Sequence, residues 1–497
     1  MALNKATFET IKPFQFTVFT FPNPHDPTSL LRIAVLDSPV QPTNPPRVAA
    51  MLVPSRRESD WVFSTESGHL QLLLNSSGIS RLILAGDSRP SPQIYRRPSE
   101  DDLSFRSMNS LLEVSLKPLF LALSPKSCFE LGIPDIPILR YEDNVVSSVV
   151  LRTFVGSFVG EMLVEDVEIE NEKCSQREFR RRLRFKRMPN LVQTEVRIVP
   201  KVGFGSEFGG IGEVELSPDV GVLVHTYLAP MVASLRLISS HVEERFCSGF
   251  MPRALCLGVG GGALLTFLRT QLGFEVLGVE EDGEVLKVGR EFFGLEDCDF
   301  LKVVVGDAME FVEKVARRES AGSLNGVGDK FDVIMVDLDS CDAENGVCAP
   351  PLEFRRKRVL LAARSILSDK GILVLNVVPQ TSAFYETMKH DFREVFSELY
   401  EIDVGNGENF VLVAMGTPNM SIHGFHRENL KSSDLEMVEQ DLIPRTIQEQ
   451  HLTRWLKGKR MFKFLVLMVF KRTVEKATAF EDWNKPLYHI LAFAFTC

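Results

Sequence analysis

Asp337 and Asp339 follow the apolar run Val333–Val336, and Asn376 sits within a second run, Ile372–Val378. At such places a carboxylate can orient an amine or pass its proton to water, and an amide can accept a hydrogen bond without carrying charge. A third run, Ala254–Leu257, breaks into Gly258, Gly260, Gly261 and Gly262. Those glycines let the backbone turn tightly, so that a ligand can approach main-chain N–H groups. Glu280 ends the next run, Phe274–Val279. It lies roughly 20 residues past the first glycine, the spacing at which a carboxylate grips ribose hydroxyls. Together these residues imply a site for an adenosine-bearing ligand. Blander readings stand beside this one. A glycine turn also packs a helix on a sheet, Asp339 with Ser340 and Asp342 suits a turn, and Glu281 and Asp282 read as solvated.

The elements that must position these residues alternate. The helix over Ala263–Leu272 carries Leu264, Leu268 and Leu272 at four-residue spacing and stops at Gly273. Before the glycine turn a helix is expected from about Thr226 to Arg245. Strands are predicted at 254–260, 274–280, Leu301–Val305, Val333–Val336 and Ile372–Val378, with helical patterns between them. Ser368–Gly371 reads as a turn before the fifth strand, and Leu399–Val404 with Asn409–Met415 reads as a closing hairpin around Gly405-Asn-Gly407. The pattern predicts an α/β fold: a doubly wound, seven-stranded Rossmann-like sheet whose last element runs antiparallel. Such a finish favours the S-adenosylmethionine-dependent class over a dinucleotide dehydrogenase.

The first half is less regular. Prolines punctuate residues 12–54, so residues 1–45 read as an extended lead-in with strand-like pieces. Residues 46–200 read as an α+β region, with strands at Ala49–Pro54, Arg81–Ala85, Val145–Val155 and Leu191–Val199 and a helix near His69–Leu74. Five glycines between Lys201 and Glu213 predict a mobile link over 201–222, followed by the sheet domain at 223–416 and a tail at 417–497. A run of Arg177, Arg180, Arg181, Arg182, Arg184, Lys186 and Arg187 alternates with Phe179, Leu183 and Phe185, as on a strand with one solvated face. Its functional reading is a surface that steers an acidic protein surface or a nucleic-acid-bound partner.

Composition bounds the rest. The chain has 497 residues, more than one typical core, and a formal charge of −10, which argues against wholesale coating of nucleic acid and against anionic membrane. Its eight cysteines form no CxxC pair, so a reducing compartment is expected and structural zinc is not. Residues 1–30 lack the uninterrupted apolar core of a secretory signal, which makes a cytoplasmic location the default. In the tail, Phe462–Phe470 is too short to cross a bilayer and reads as a packed strand or short helix.

The successive motifs LGVGGGALL, VLGVEEDGEVLKVGREFFG, VVVGDAMEFV, FDVIMVDLDSCDAENGVCAPP and GILVLNVV resemble the C-terminal half of the elongation factor 1-alpha lysine and N-terminal methyltransferases, whose sheet is akin to spermidine synthase. The upstream segments VPSRRESDWVFSTESGHLQLL and RRLRFKRMPNLVQTEVRIV extend the resemblance to roughly residues 46–416. It implies a protein N-methyltransferase that uses S-adenosyl-L-methionine and needs neither metal nor nucleic acid. The half represented is the one associated with the factor's N-terminal α-amine, with no counterpart of the separate lysine-methylating domain. By motif, Gly258, Gly260, Gly261 and Gly262 would line the methionine portion of the cofactor, Glu280 would hold the ribose, and Asp307 with Ala308 would meet the adenine. Asp307 equally reads as the cap of a helix starting at Ala308. Asp337, the favoured group for orienting the amine, would also border the cofactor, with Asn376 as neutral acceptor and Asp339 beside them. The expected partner is a protein, elongation factor 1-alpha or one like it, and a homodimer is compatible with this reading.

Two alternatives share the fold. Spermidine synthases resemble the chain at VEED, GDAMEF and FDVIMVD, but their Asp-Ser-Ser-Asp-Pro stretch and acid-rich upstream segment are replaced here by Asp337-Leu-Asp-Ser-Cys341 and Leu223-Val-His-Thr-Tyr227. Acids that would hold a polyamine dication are therefore missing. The other alternative is a module that retains cofactor but has lost turnover.

Overall fold

The computed structural model describes residues 5–417 except 41–44, 90, 91, 93, 99–102, 131, 171–176, 202–210, 213, 214, 321–329, 341–348, 380 and 406. The tail beyond 417 and half of the expected glycine link lie outside the described residues. Two compact units emerge, each built around its own sheets.

One unit takes in Leu223–Glu281, Leu295–Ser340 and the described residues beyond 348. Its seven strands are β1 (Arg253–Leu257), β2 (Glu275–Glu280), β3 (Leu301–Val305), β4 (Phe331–Val336), β5 (Leu367–Val377), β6 (Glu398–Asp403) and β7 (Phe410–Met415). They lie in the order β3-β2-β1-β4-β5-β7-β6, the first five parallel and β7 antiparallel to both neighbours. This is the doubly wound, seven-stranded Rossmann-like sheet that the alternating pattern predicts. Residues 254–257 and 333–336 are fully buried, because a central parallel strand is covered on both faces and needs apolar side chains on each. One covering core packs Leu255, Leu257, Ile334, Val336, Leu373 and Leu375 against Val312 of helix Ala308–Ser320 and Val359, Leu360 and Ala363 of helix Lys357–Ile366.

Two elements differ from expectation. The helix expected over Thr226–Arg245 is three pieces: Leu228–Ala233, a 3-10 turn at Ser234–Ile238, and Ser239–Cys247. Ser234 donates its hydroxyl to the Met231 carbonyl at 2.6 Å, a local bond that competes with the helical ladder. Ser368–Gly371 is not a turn before β5 but a bulge inside it. Leu367 pairs with Phe331 and Ile372 with Val333, so the intervening residues loop out of register. Gly371 fits there because a Cβ would lie 3.1 Å from the carbonyl oxygens of both Phe331 and Asp332.

The other unit contains the described residues up to Val222 together with Asp282–Gly294. Its first sheet orders Phe16–Asn23, Asp26–Asp37, Arg81–Asp87, Val48–Leu52 and Ile138–Leu139, so residues 16–37 of the expected lead-in are paired strands. Side chains alternate between two cores. Ala34, Leu36, Ala49, Met51, Leu82 and Leu84 meet helix Glu66–Leu74, while Ile33, Val35, Val48, Ala50, Ile83 and Ala85 meet helix Leu103–Ala122. Arg81 is buried in this sheet. Its guanidinium grips Asp37 at 2.6 and 2.9 Å and donates to the carbonyls of Phe8, Thr10 and Leu123.

The second sheet is antiparallel: Leu216–Pro218, Val192–Pro200, Arg177–Phe185, Gly160–Glu170, Val145–Gly156 and Ile94–Arg96. Here the basic strand departs from expectation, for it has neither a solvated face nor a free positive surface. Asp166 holds Arg181 at 2.7 and 3.0 Å, Glu195 holds Arg180 and Arg182 at 2.7 Å, and Glu168 holds Arg177 at 2.9 Å. Arg184 is shared by Glu165 and Asp60. The strand is central, and its neighbours carry carboxylates at the facing positions, so its charge is neutralised within the sheet.

Helix Gly283–Phe292 belongs to this unit. Asp282, expected to be solvated, is buried; its carboxylate accepts from the N–H groups of Phe158 at 2.7 Å and Val159 at 3.2 Å and caps the helix at the Glu284 N–H, 2.9 Å away. Those backbone donors hold its pKa below the usual carboxylate range against the opposing effect of burial.

Candidate active site

Strand register assembles the candidate residues. Leu257 is level with Val279 on one side and Val336 on the other, and Val336 is level with Leu375. Gly258, Glu280, Asp337 and Asn376 are the next residues, so they form one row across four adjacent strands at the carboxyl end of the sheet. Open α/β sheets bind ligands at that edge, where the strand order reverses. Here the reversal falls between β1 and β4.

The glycine turn is shaped by close approach. Gly258, at φ 82°, lies so near the Asp337 carbonyl that a Cβ would stand 2.1 Å from its oxygen. Gly262, at φ 87°, starts helix Ala263–Leu272 and lies against Leu295. One Glu280 oxygen accepts from the N–H groups of Val259 and Gly260, both at 3.1 Å, strapping the turn to the end of β2. A carboxylate at this place is the kind of group that accepts hydrogen bonds from ligand hydroxyls. Gly258, Gly260, Gly261, Gly262 and Glu280 thus share one place, and the residues present fit a ribose-bearing ligand whose chain follows the turn.

Asp307 follows β3 through Gly306, whose N–H donates to the Glu280 carbonyl at 2.9 Å. One Asp307 oxygen accepts from the Glu310 N–H at 2.6 Å and caps the helix that begins at Ala308, a residue that is itself buried.

Asp337 stands at the centre of a polar chain. Tyr227 donates its hydroxyl to one carboxylate oxygen at 3.1 Å, and Asn376 donates its amide to the other at 3.0 Å. Asn409 donates to the Asn376 side-chain oxygen at 2.8 Å. Burial, reinforced by the nearby charge of Asp339, pushes the Asp337 carboxyl up to about 6 despite the two hydrogen bonds that favour its ionised form. The Tyr227 hydroxyl is pushed well above its ordinary range by burial and by Asp337. The sequence alone suggests Asn376 as a neutral acceptor for substrate. In the fold its oxygen accepts from Asn409 and its nitrogen serves Asp337, so it supports the carboxylate. Asp339 lies beyond Asp337 in a half-buried loop.

Tyr227 and Asn409 do not stand out in the sequence as partners of Asp337 and Asn376. The available signal was a polar group within or beside an apolar run, since such a group, once buried, needs a partner. Among the described residues, no group of three or more His, Cys, Asp or Glu is placed to hold a metal, and no helix is long and apolar enough to cross a membrane.

No family model matches the chain. Among curated proteins, the eEF1A lysine and N-terminal methyltransferase of Danio rerio is 27% identical over 409 residues, 79% of this chain and 54% of the relative. The proteins of that name from Bos taurus and Homo sapiens are 26% and 25% identical, covering 74% and 78% of this chain and 50% and 54% of theirs. Among solved structures, human methyltransferase-like protein 13 in complex with SAH aligns with a TM-score of 0.36 at 22% identity, over 48% of this chain and 93% of that one. A probable spermidine synthase from Corynebacterium glutamicum aligns with a TM-score of 0.37 at 14% identity, over 55% and 84%. Across more than three quarters of its own residues, the chain is similar to the curated proteins named eEF1A lysine and N-terminal methyltransferase, and it spans about half of their length.

Proposed function

We propose that the chain is an S-adenosylmethionine-dependent protein N-methyltransferase whose acceptor is the N-terminal α-amine of elongation factor 1-alpha or of a similar protein. The observation that carries this reading is the row of Gly258, Glu280, Asp337 and Asn376 at the switch point, which sets a nucleotide-type turn beside a half-buried acid. The curated relatives' names support the acceptor class.

Bound S-adenosylmethionine supplies an electrophilic methyl group. In this reading Gly258, Gly260, Gly261 and Gly262 hold the methionine portion, Glu280 takes the ribose hydroxyls, and Asp307 with Ala308 borders the adenine. Asp337 faces the incoming amine. An ammonium cannot attack, so its proton must leave first, and an α-amine near 7.7–8.0 releases it far more readily than a lysine near 10.4. Asp337, ionised above about 6, accepts a hydrogen bond from the amine nitrogen and directs its lone pair. Asn376 holds that carboxylate in place, and the Asp339 side chain lies beside it, where negative charge stabilises the positive charge that develops on the nitrogen as the methyl group is transferred. Alignment of nucleophile and methyl group then supplies much of the rate.

The test incubates the full chain with methyl-labelled S-adenosylmethionine and purified elongation factor 1-alpha, with the label located by mass spectrometry. Label on the N-terminal nitrogen supports the proposal. Label confined to lysine side chains overturns the acceptor, and product formed only from decarboxylated cofactor and a small diamine overturns the reaction.

A further inference from the structure

The chain of hydrogen bonds around Asp337 continues beyond the residues that would meet substrate or cofactor, and both of its ends come from other parts of the sequence. Tyr227 lies 110 residues before Asp337, just ahead of helix Leu228–Ala233. Asn409 lies 33 residues beyond Asn376, just ahead of β7. Neither bond belongs to a strand ladder or a helix cap.

Their geometry is complementary. A carboxylate on a loop after a strand can rotate about its terminal torsion, and each orientation offers an amine different lone pairs. Tyr227 occupies one oxygen and Asn376 the other, which stops that rotation. Asn376 can serve only with its nitrogen toward Asp337, because its oxygen would repel the carboxylate. Asn409 enforces this orientation by donating to the Asn376 oxygen. The two outer residues therefore determine, through different intermediaries, which face Asp337 presents. Of the other groups close to Asp337, Asp339 comes from the same loop, and Cys256 on β1 is buried with its thiol pushed above its ordinary range by burial and by Asp337.

We propose that Tyr227 and Asn409 are positioning residues for amine methylation: Tyr227 locks one Asp337 oxygen, and Asn409 sets the amide orientation of Asn376 that locks the other. The inference rests on the reading of Asp337 as the group that faces the acceptor.

The test compares the full chain with Tyr227→Phe and Asn409→Leu. The Asp337 carboxyl is titrated by infrared difference spectroscopy, with its band assigned by loss in Asp337→Asn. In parallel, kcat and KM for an N-terminal peptide are followed against pH, and S-adenosylhomocysteine binding is followed by calorimetry. Loss of either donor weakens support for the ionised form, so the titration and the acid limb of kcat/KM both move to higher pH. Near neutrality kcat falls about tenfold or more, the fold-change equivalent of one hydrogen bond to a charged group. Cofactor affinity stays within about twofold, because neither residue is assigned to cofactor.

An unmoved titration in Tyr227→Phe, with folding intact, overturns the proposal. So does a loss of kcat matched by an equal loss of S-adenosylhomocysteine affinity, since that marks a merely structural role. Tyr227→Phe preserves shape and decides the matter by itself if Asn409→Leu fails to fold. A wild-type chain that transfers no methyl group while the variants still shift the titration supports the clamp and sinks the methyl-transfer reading. Intact turnover with an unmoved titration sinks the clamp alone.

Discussion

The Asn376 side-chain amide lies 3.0 Å from the Asp337 carboxylate, which places a neutral donor against the acid proposed to face the substrate. A carboxylate held by neutral donors in a buried place keeps an elevated affinity for protons, unlike one held by arginine. The consequence is a titration near the lower edge of the physiological range.

Catalysis should follow that titration. With Asp337 pushed up to about 6, kcat at saturating cofactor is expected to fall as pH drops below about 6, as the acceptor form of the carboxyl is lost. Asp337→Asn should remove that limb and lower kcat by about 10²–10⁴, with S-adenosylhomocysteine affinity falling far less than kcat. A pH–rate profile with parallel calorimetry checks both. A variant that keeps the acid limb would point to another titrating group.

Stability should carry the opposite sign. A carboxyl whose folded value is raised binds protons more tightly in the folded state, so its contribution is fully present below about 3.8 and is lost as pH rises through about 6. Neutralising the side chain as Asp337→Asn should therefore raise the melting temperature at pH 7.5, by on the order of 1–3 kcal/mol of stability. The gain should vanish near pH 4. Thermal unfolding at the two pH values reads the difference.

The glycine turn should tolerate no side chain. Gly258→Ala would place a methyl group 2.1 Å from the Asp337 carbonyl oxygen at a φ of 82°. S-adenosylhomocysteine binding should be lost by calorimetry, while circular dichroism still reports folded chain. Glu280→Gln, which weakens the strap to Val259 and Gly260, should reduce affinity by roughly 10–100-fold.

Buried ion pairs in the other unit should govern its stability. Asp37→Asn leaves the Arg81 charge buried without its carboxylate and should cost about 3–5 kcal/mol in denaturant unfolding.

The basic strand should behave as structure. Arg181→Glu, opposite Asp166, should lower the melting temperature and soluble yield. Lys186→Glu at the exposed end should change stability by less than about 1 kcal/mol. A variant of Arg181 that folds normally yet raises KM would restore the steering surface that the alternating sequence suggests.

Local physics was legible in the sequence. The glycine turn after Ala254–Leu257, the acid at Glu280, the strands alternating with helices and the closing hairpin each depend on periodicity or backbone freedom within a few residues, and those properties are written in the order of side chains. The row of Gly258, Glu280, Asp337 and Asn376 could be anticipated because each stands at or near the carboxyl end of an apolar run. Tertiary structure alone decided what each charge meets. Whether Arg181 faces water or Asp166, whether Asp282 is solvated or holds the backbone of Phe158, and whether Asn376 receives a hydrogen bond from Asn409 depend on which strands become neighbours. Burial and electrostatic partnership arise from chain segments tens to more than a hundred residues apart, and no local pattern encodes those meetings.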